Sequence, residues 1–508
     1  MRRFKKVLIV VCRFDEDRNG GSRPWRVPQG MAPVFIAGGF NPALCELRVY
    51  SELFSGPLEN KKLLAWPDML VLSGLQVDFD RFLHLTAYAR TLNPNVIVVA
   101  GGSVVEILPA FSRQFFDYCC TGAVEEIGEV IAAAFGPEYV AEAFAPRYDL
   151  AYWNKILGMV ESSRHCNFNC SFCALSIKSN TYLNYSPEHV CQEIRRSGFK
   201  RIFFLDNNFY GNNAHEFDRK LQMMIAMKNA GELAAWGAEL TADFFLKDRN
   251  LALAKAAGCA ALFCGVESFD VQSLLSFNKR QNVVTDQTAL IRKCLEAGIL
   301  FLYGLIFDPT RRTLHSIAAE LDYILAHDEI PLPSYFTLPI PLLGTPLFFE
   351  SLKNGAILPN TRIRDLDAYT LCLRPLEGMR AFSAFWPDFI RLKKRKAAVI
   401  RHEAGFLQRY KNFLTRWQKL VSLGNAAVFA LPKYRNPRRT FVSATEILDP
   451  QYQPAFHLAS KFVSYFQPTL LTDSTGVLNP YLEEVMQLEK PPALKLNRST
   501  TLSDEQSA

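Results

Sequence analysis

The chain has 508 residues, of which 49% are hydrophobic and 21% are charged. This is a globular composition with enough apolar material for two to four domains. The longest apolar run, residues 298–307, is too short to span a bilayer. The apolar segment near the N-terminus is shorter still, and Arg13 and Asp15 follow it, which favours a buried strand over a signal peptide.

The first 145 residues predict an N-terminal doubly wound, Rossmann-like parallel sheet. Short apolar runs at 6–12, 67–73, 96–100 and 116–120 alternate with helix-like segments, and small residues follow several of them. Ligands of such sheets lie beyond the carboxyl ends of the strands. The candidate ligand-contacting residues at those ends are Ser73, Gly74, Gly101 and Gly102.

A cysteine array follows the apolar run 156–160. Cys166, Cys170 and Cys173 are spaced Cys-x-x-x-Cys-x-x-Cys, with Phe172 just before the third cysteine. Three thiolates on one loop can hold three irons of a 4Fe–4S cluster and leave the fourth iron open. The alternatives are incidental core cysteines or a zinc loop with His165 as the fourth ligand. A cluster needs a reducing compartment, so we expect a cytoplasmic protein.

This loop, with its aromatic residue, resembles the cluster loop of the radical SAM superfamily. The resemblance implies that Cys166, Cys170 and Cys173 bind a 4Fe–4S cluster and that Phe172 lies at the cofactor site. It also implies that the open iron binds S-adenosylmethionine (SAM), whose reduction yields a 5′-deoxyadenosyl radical. An electron donor such as flavodoxin or ferredoxin is the implied partner.

Residues 150–348 predict a partial (β/α)6 barrel with its chemistry at the carboxyl ends of its strands. Six strand–helix steps follow the cysteine loop, and acids appear at several strand ends. By position, these acids resemble family residues that hold the methionyl amine and the ribose of SAM. Each is also explained by an ordinary turn or helix cap. The candidates are Asp206, Glu239 and Glu267, with Asp308 a weaker one.

The N-terminal region resembles the cobalamin-binding domain that precedes many radical SAM domains. The matching parts are the segments 67–73, 100–103 and 118–126. The histidine motif Asp-x-His-x-x-Gly is absent, and we expect His84 to be a packing or surface residue of a helix. Any corrin is therefore expected to bind without a protein histidine on cobalt. The alternative is a flavodoxin-like domain kept only as scaffold.

Residues 349–508 predict a mostly helical third domain with a disordered tail from about residue 494. Fourteen Lys or Arg and one acid lie between residues 391 and 440, against a net charge of +7 for the whole chain. An amphipathic helix is expected over 406–421. It either packs on the barrel or touches anionic lipid as a peripheral membrane contact. No nucleic-acid module accompanies the charge.

The expected domains are thus 1–145, 150–348 and 349–508. The resemblance implies a cobalamin-dependent C-methyltransferase that acts on an unactivated carbon of a small-molecule or lipid-like substrate. One SAM would methylate the corrin and a second would generate the radical. The alternatives are a cobalamin-free radical SAM rearrangement, cyclisation or oxidation, and a non-catalytic zinc-binding protein.

Overall fold

The computed structural model describes most of the chain. The described residues are 4–13, 30–177, 182–283, 286–359, 361–390, 392, 395–430, 470–472 and 478–488. The predicted tail from about residue 494 lies outside them. Among them, no helix combines the length and the apolar character needed to cross a bilayer.

The N-terminal region forms a five-stranded parallel sheet in the order β2-β1-β3-β4-β5. Alternate residues of β1 pack into two different cores: Leu8 and Val10 on one face, Val7 and Ile9 on the other. This two-sided burial confirms the predicted doubly wound sheet, and its strand order is the flavodoxin-like one. The strands are β1 (Lys5–Val11), β2 (Cys45–Ser51), β3 (Met69–Gly74), β4 (Ile97–Gly102) and β5 (Tyr118–Cys120).

Helices cover both faces of this sheet. The longest, α4, carries His84, which is 2% exposed. Burial lowers the pKa of His84 to about 3, and the neighbouring Arg81 and Arg364 lower it further, so its expected packing role is confirmed. The helices are α1 (Ala32–Ala37), α2 (Glu52–Ser55), α3 (Lys61–Ala65), α4 (Phe79–Leu92), α5 (Ser103–Ile107), α6 (Pro109–Ser112) and α7 (Ile127–Phe135).

The central region forms a second parallel sheet of six strands. Each strand pairs with the next strand of this sheet along the chain. A short two-stranded hairpin lies in the sequence between the first two strands and is not part of the sheet. This sheet confirms the predicted partial barrel, but five of its strands follow the cysteine loop, not six, because the first strand precedes the loop. The strands are β6 (Gly158–Val160), β9 (Arg201–Phe204), β10 (Ala235–Leu240), β11 (Cys259–Glu267), β12 (Leu300–Ile306) and β13 (Tyr335–Thr337), and the hairpin pairs β7 (Ser163–Arg164) with β8 (Leu183–Asn184).

The barrel helices lie outside this sheet and bury its outward side chains. As predicted, Ser186 caps the first of them by accepting the His189 N–H, with Pro187 at the first helical position. The helices are α8 (Pro187–Ser197), α9 (Ala214–Asn229), α10 (Asp248–Ala256), α11 (Val271–Ser276), α12 (Gln287–Glu296) and α13 (Leu314–Ala326).

The region after residue 345 divides between the two cores. Segments 346–373 and 470–488 contribute to the core of the first sheet, whereas 382–429 packs against the barrel. The domain boundaries themselves stay predictions. The helices here are α14 (Pro346–Lys353), α15 (Gly378–Ile390), α16 (Lys396–Arg409), α17 (Arg416–Ala430) and α18 (Tyr481–Met486).

The prediction of one continuous helix over 406–421 is wrong. A turn interrupts it, because Thr415 and Gln418 form a capping box that starts α17 at Arg416. The Gln418 side chain accepts the Thr415 N–H at 2.7 Å, and the Thr415 hydroxyl accepts the Gln418 N–H at 3.3 Å. Tyr410 is buried at the break and donates its hydroxyl to the Glu329 carbonyl at 2.7 Å.

Candidate cofactor site

The cysteine loop lies at the carboxyl end of β6, and its own backbone anchors it there. The Ser171 N–H donates to the Phe277 carbonyl at 2.9 Å, and the Ser171 carbonyl accepts the Leu347 N–H at 2.9 Å. The Asn278 side chain donates to the Asn169 carbonyl at 2.8 Å. The loop is thus held between the turn after α11 and the start of α14, which fixes the positions of its cysteines.

The three thiols share one electrostatic environment. Burial raises the pKa of the Cys166 thiol to about 11, and the neighbouring Cys170 and Cys173 raise it further, whereas Lys279 lowers it. Burial also raises the pKa of Cys173, with Cys170 again adding to the shift. The thiols therefore lie close enough to influence one another electrostatically, in a partly buried recess near the Lys279 ammonium. Metal binding would take them as thiolates, whose charge the lysine would offset.

The three thiols on one loop are the donor set that a 4Fe–4S cluster with one open iron needs, because each thiolate binds a different iron. A structural zinc site needs a fourth ligand around the same ion. Among the described residues, no group of three or more His, Cys, Asp or Glu side chains is arranged to hold a metal ion. The zinc alternative, with His165 as a ligand, stays an expectation that the structure does not decide.

Phe172 lies at the side of this recess. Its ring packs edge-on against Phe277, with centroids 5.3 Å apart, and the Lys279 ammonium lies 5.8 Å from its centroid. The ring is half-buried and forms part of the apolar wall beside the thiols. Its role as a cofactor contact stays a prediction.

Glu267 ends β11 in a strained conformation and forms an ion pair inside the barrel. Its φ of 62° is rare for a residue with a side chain, and the β11–β12 register shifts between Gly265 and Glu267. Its carboxylate accepts the Lys279 ammonium at 2.6 Å, with both side chains largely buried. Although burial opposes it, Glu267 holds the pKa of Lys279 above its ordinary value, and Cys170 adds to this.

Glu239 lines the lumen of the barrel, as its strand position predicts. Its side chain is exposed, while its neighbours Ala238 and Leu240 are buried on the opposite face of β10. Nevertheless, desolvation raises its pKa, which places the carboxyl in a recess open to water and walled by protein. Burial also raises the pKa of Tyr335, with Glu267 and then Glu239 adding to it, so the tyrosine faces both acids.

Asp206 and Asp308 are buried, rather than exposed at the barrel mouth. Asp206 is 0% exposed and accepts both the N–H and the hydroxyl of Ser162, the former at 2.7 Å. The same hydroxyl accepts the Lys220 ammonium at 2.8 Å. Asp206 therefore positions the start of the cysteine loop. Asp308 accepts the Thr310 N–H at 2.8 Å, which is the ordinary turn role.

The glycines at the edge of the first sheet are explained largely by backbone packing. A Cβ on Gly102 would lie 2.3 Å from the Gly74 carbonyl oxygen, and the φ of Gly102 is 106°. A Cβ on Gly74 would lie 2.9 Å from the Phe82 ring. A Cβ on Gly101 would contact one residue within 4 Å, Cys120, at 3.4 Å from its Cβ and 3.7 Å from its carbonyl oxygen. A flat cofactor could approach the sheet at Gly101, where the edge is partly exposed. Ser73, on the neighbouring strand, is largely buried.

The strand ends of the two sheets face one another. The Gln76 side chain, after β3, accepts the Leu343 N–H, after β13, at 3.0 Å. Glu125, after β5, pairs at 2.8 Å with Arg164 of the cysteine loop, and Arg164 also pairs with Glu161 at 2.8 Å. Ligand sites beyond the strand ends of one sheet would therefore open toward those of the other.

Two residues of this site have no sequence signal of their own. Lys279 lies in an irregular turn, and only the fold brings it beside Glu267 and the thiols. Tyr335 opens β13, where it reads as an ordinary strand aromatic, but its ring stacks on Phe263 with centroids 5.7 Å apart. Side chains alternate between the two faces of a strand, so the alternation along β11 and β13 could have predicted that the Phe263 and Tyr335 rings both face the lumen.

Residues 160–319 match the model of the radical SAM superfamily. This span runs from the end of β6, through the cysteine loop, into α13. The central barrel is a radical SAM domain. It is an enzyme domain of a superfamily that uses a 4Fe–4S cluster and SAM, and the resemblance stated from the cysteine loop is confirmed.

Solved structures share the fold over most of the chain. The methyltransferase TsrM from Kitasatospora setae, solved with a tryptophan substrate and a SAM analogue, is 18% identical, with a TM-score of 0.53. The match covers 70% of this chain and 77% of TsrM. The cobalamin-dependent enzyme OxsB, solved with aqua-cobalamin, is 14% identical, with a TM-score of 0.57 over 85% of this chain and 80% of OxsB.

A curated relative is a methylase. The hopanoid C-2 methylase of Rhodopseudomonas palustris (strain TIE-1) is 23% identical over 316 residues. The match covers 58% of this chain and 59% of that methylase, so the chain spans about three fifths of its length.

Proposed function

We propose that this protein is a cobalamin-dependent radical SAM methyltransferase that methylates an unactivated carbon. The observation that carries the proposal is the meeting of the two strand-end edges, joined by the Gln76–Leu343 hydrogen bond and the Glu125–Arg164 ion pair. A corrin at the first edge would face a cluster held by the cysteine loop. The hopanoid methylase and the methyltransferase TsrM support methyl transfer, and the shared fold of the cobalamin-dependent enzyme OxsB supports a corrin.

In this proposal the chain holds the reactants in place and limits access of water. When bound, cluster and SAM supply the radical and the corrin supplies the methyl group. Asp206 and Lys220 hold Ser162, and through it the start of the loop. Glu239 and Glu267 present carboxylates that could accept hydrogen bonds from the amine or the ribose of SAM.

The lumen wall favours an apolar substrate. Phe263 of β11 and Leu302 of β12 are in register, and Tyr335 stacks on Phe263. Phe203 of β9 is in register with Gly237 of β10. Gly304 lies under the Tyr335 ring, where a Cβ would come within 2.5 Å of it. Aromatic walls that leave the charged groups to Glu239, Glu267 and Lys279 suit a lipid-like or flat small molecule.

A second candidate is a radical SAM reaction without cobalamin. The tight packing of Gly74 against Gly102 favours it, because those glycines are needed by the sheet whether or not a corrin binds. In that case, the first sheet is a scaffold for the barrel. An electron donor such as flavodoxin or ferredoxin is proposed for both candidates, as is a cytoplasmic location.

The products of SAM distinguish the two candidates. Protein reconstituted anaerobically with iron, sulfide and hydroxocobalamin, and supplied with reduced flavodoxin as electron donor, should convert methyl-labelled SAM into S-adenosylhomocysteine and 5′-deoxyadenosine in comparable amounts when an acceptor is present. Without an acceptor, the first SAM-dependent step should still yield S-adenosylhomocysteine, once per corrin. Formation of 5′-deoxyadenosine alone, with no corrin bound, would leave the second candidate and remove the first.

A further inference from the structure

Helix α17 exposes large apolar side chains as well as burying some. Its inward face carries the buried polar Gln418 and Ser422 beside Ala426 and Phe429 of the barrel core. Its outward face carries three large apolar side chains: Trp417 is 65% exposed, Leu420 59% and Leu423 44%. A helix that only packs on a barrel buries its apolar stripe, so the outward stripe needs another explanation.

Hydrogen bonds fix α17 in this orientation. The Gln418 side chain donates to the Ala260 carbonyl at 2.7 Å and to the Gly298 carbonyl at 2.9 Å. The Asn425 side chain donates to the Leu332 carbonyl at 2.9 Å. Ala260 is the second residue of β11, and Gly298 and Leu332 precede β12 and β13, so the helix crosses the barrel at the end opposite the cysteine loop. Rotating it to bury Trp417 would break all three bonds.

Basic side chains flank the outward stripe. Lys411, Arg416 and Lys419 lie in or next to the first turn of α17 and form no ion pair within the described part of the chain. The one acid of the sequence between residues 395 and 430 is Glu403, which is buried and accepts the Ser422 hydroxyl at 2.9 Å. The surface is therefore apolar at its centre and positive at its rim.

We propose that this surface, formed by Phe413, Trp417, Leu420 and Leu423 with Lys411, Arg416 and Lys419, binds an anionic lipid bilayer. We call it the α17 outer face. A tryptophan beside exposed leucines suits the headgroup boundary, and long basic side chains can reach lipid phosphates from the same depth. The barrel mouth lies at the other end of the strands, so binding does not depend on the site chemistry or on the proposed function.

Vesicle co-sedimentation of the full-length, cluster-reconstituted protein tests the proposal. The protein should bind vesicles of phosphatidylcholine with phosphatidylglycerol, bind phosphatidylcholine alone more weakly, and lose binding as salt rises. Changing Lys411, Arg416 and Lys419 to Gln should weaken binding to the anionic vesicles about a hundredfold. Changing Trp417, Leu420 and Leu423 to Ser should abolish it. Leu376→Ser, at a site 58% exposed near α15, is the matched control and should bind normally.

Insertion has a separate readout. Lipids brominated on their acyl chains should quench part of the tryptophan fluorescence, and Trp417→Phe should remove that part. The proposal fails if no vesicles bind, or if anionic and neutral vesicles bind equally. It also fails if Trp417 is shielded from acrylamide in the free protein by another segment, or if the Ser variant changes only the oligomeric state. Retained SAM cleavage shows that each variant is folded.

Discussion

At the residue scale, the site combines groups that the sequence suggests with groups that only the fold assembles. The cysteines and Phe172 are read directly from their spacing, because one short loop carries all four. Lys279 reaches the same recess from a turn more than one hundred residues later in the chain and pairs with Glu267. Asp206 was expected at the mouth, but buried hydrogen bonds to Ser162 make it a positioning residue. Such long-range pairings leave no local pattern.

Changing Cys166, Cys170 and Cys173 together to Ala should abolish both the cluster and SAM cleavage. The reason is that each thiolate would bind its own iron. Iron and sulfide content and the broad absorbance near ~400 nm expected of thiolate-bound iron measure the loss. Cys294→Ala, at a core cysteine that is 0% exposed, is the control and should keep a full cluster. A triple variant that still cleaves SAM would refute the assignment.

Changing Lys279 to Met should lower the reduction potential of the cluster. The ammonium lies beside the thiols and favours the reduced, more negative cluster, so its loss should shift the midpoint downward by on the order of 50 mV. Potentiometric titration followed by EPR measures the shift. Lys293→Met removes a partly exposed lysine that pairs with Asp248 and should leave the potential unchanged. An equal potential in both variants would show that Lys279 does not act on the cluster.

At the element scale, periodic strands and helices were predictable and irregular ones were not. The strands of the barrel follow from apolar runs ending in polar residues. β2 was missed because it is an edge strand whose residues Cys45–Ser51 are only partly buried and half polar. The break before α17 has no clear sequence signal, because apolar residues recur at helical spacing on both sides of it. The Thr415–Gln418 capping box that starts the new helix lies within this continuous pattern.

Changing Gly101 to Leu should reduce cobalamin uptake while the sheet stays folded. A Cβ at this position makes ordinary contact with Cys120, so the backbone tolerates it, and the added side chain would fill the strand-end edge. Gly102→Leu is a poorer test, because it would clash with Gly74 and strain a φ of 106°. Cobalt content and visible spectra after gel filtration measure uptake, and cluster content and melting temperature check the fold. Normal cobalamin uptake by the Gly101→Leu variant would show that the corrin does not bind at this edge.

At the scale of the whole molecule, two parallel sheets meet with their carboxyl edges together. Each sheet follows from its own alternation of strands and helices. The way the edges meet depends on long-range contacts. Gln76 and Leu343 are separated by 267 positions in the sequence, and Glu125 and Arg164 by 39. The helices after residue 345 contribute to both cores, so the third region joins the two sheets instead of forming a core of its own within the described residues.

The magnetic interaction between cobalt and cluster tests most directly whether the two edges build one site. Protein loaded with cob(II)alamin and a reduced 4Fe–4S cluster holds two paramagnetic centres. If they lie in one cleft, pulsed EPR should show the cobalt signal relaxing faster with the cluster reduced than with it oxidised. The triple cysteine variant should show no such change. Identical cobalt relaxation in both cluster states, or the absence of any bound corrin, would contradict the account.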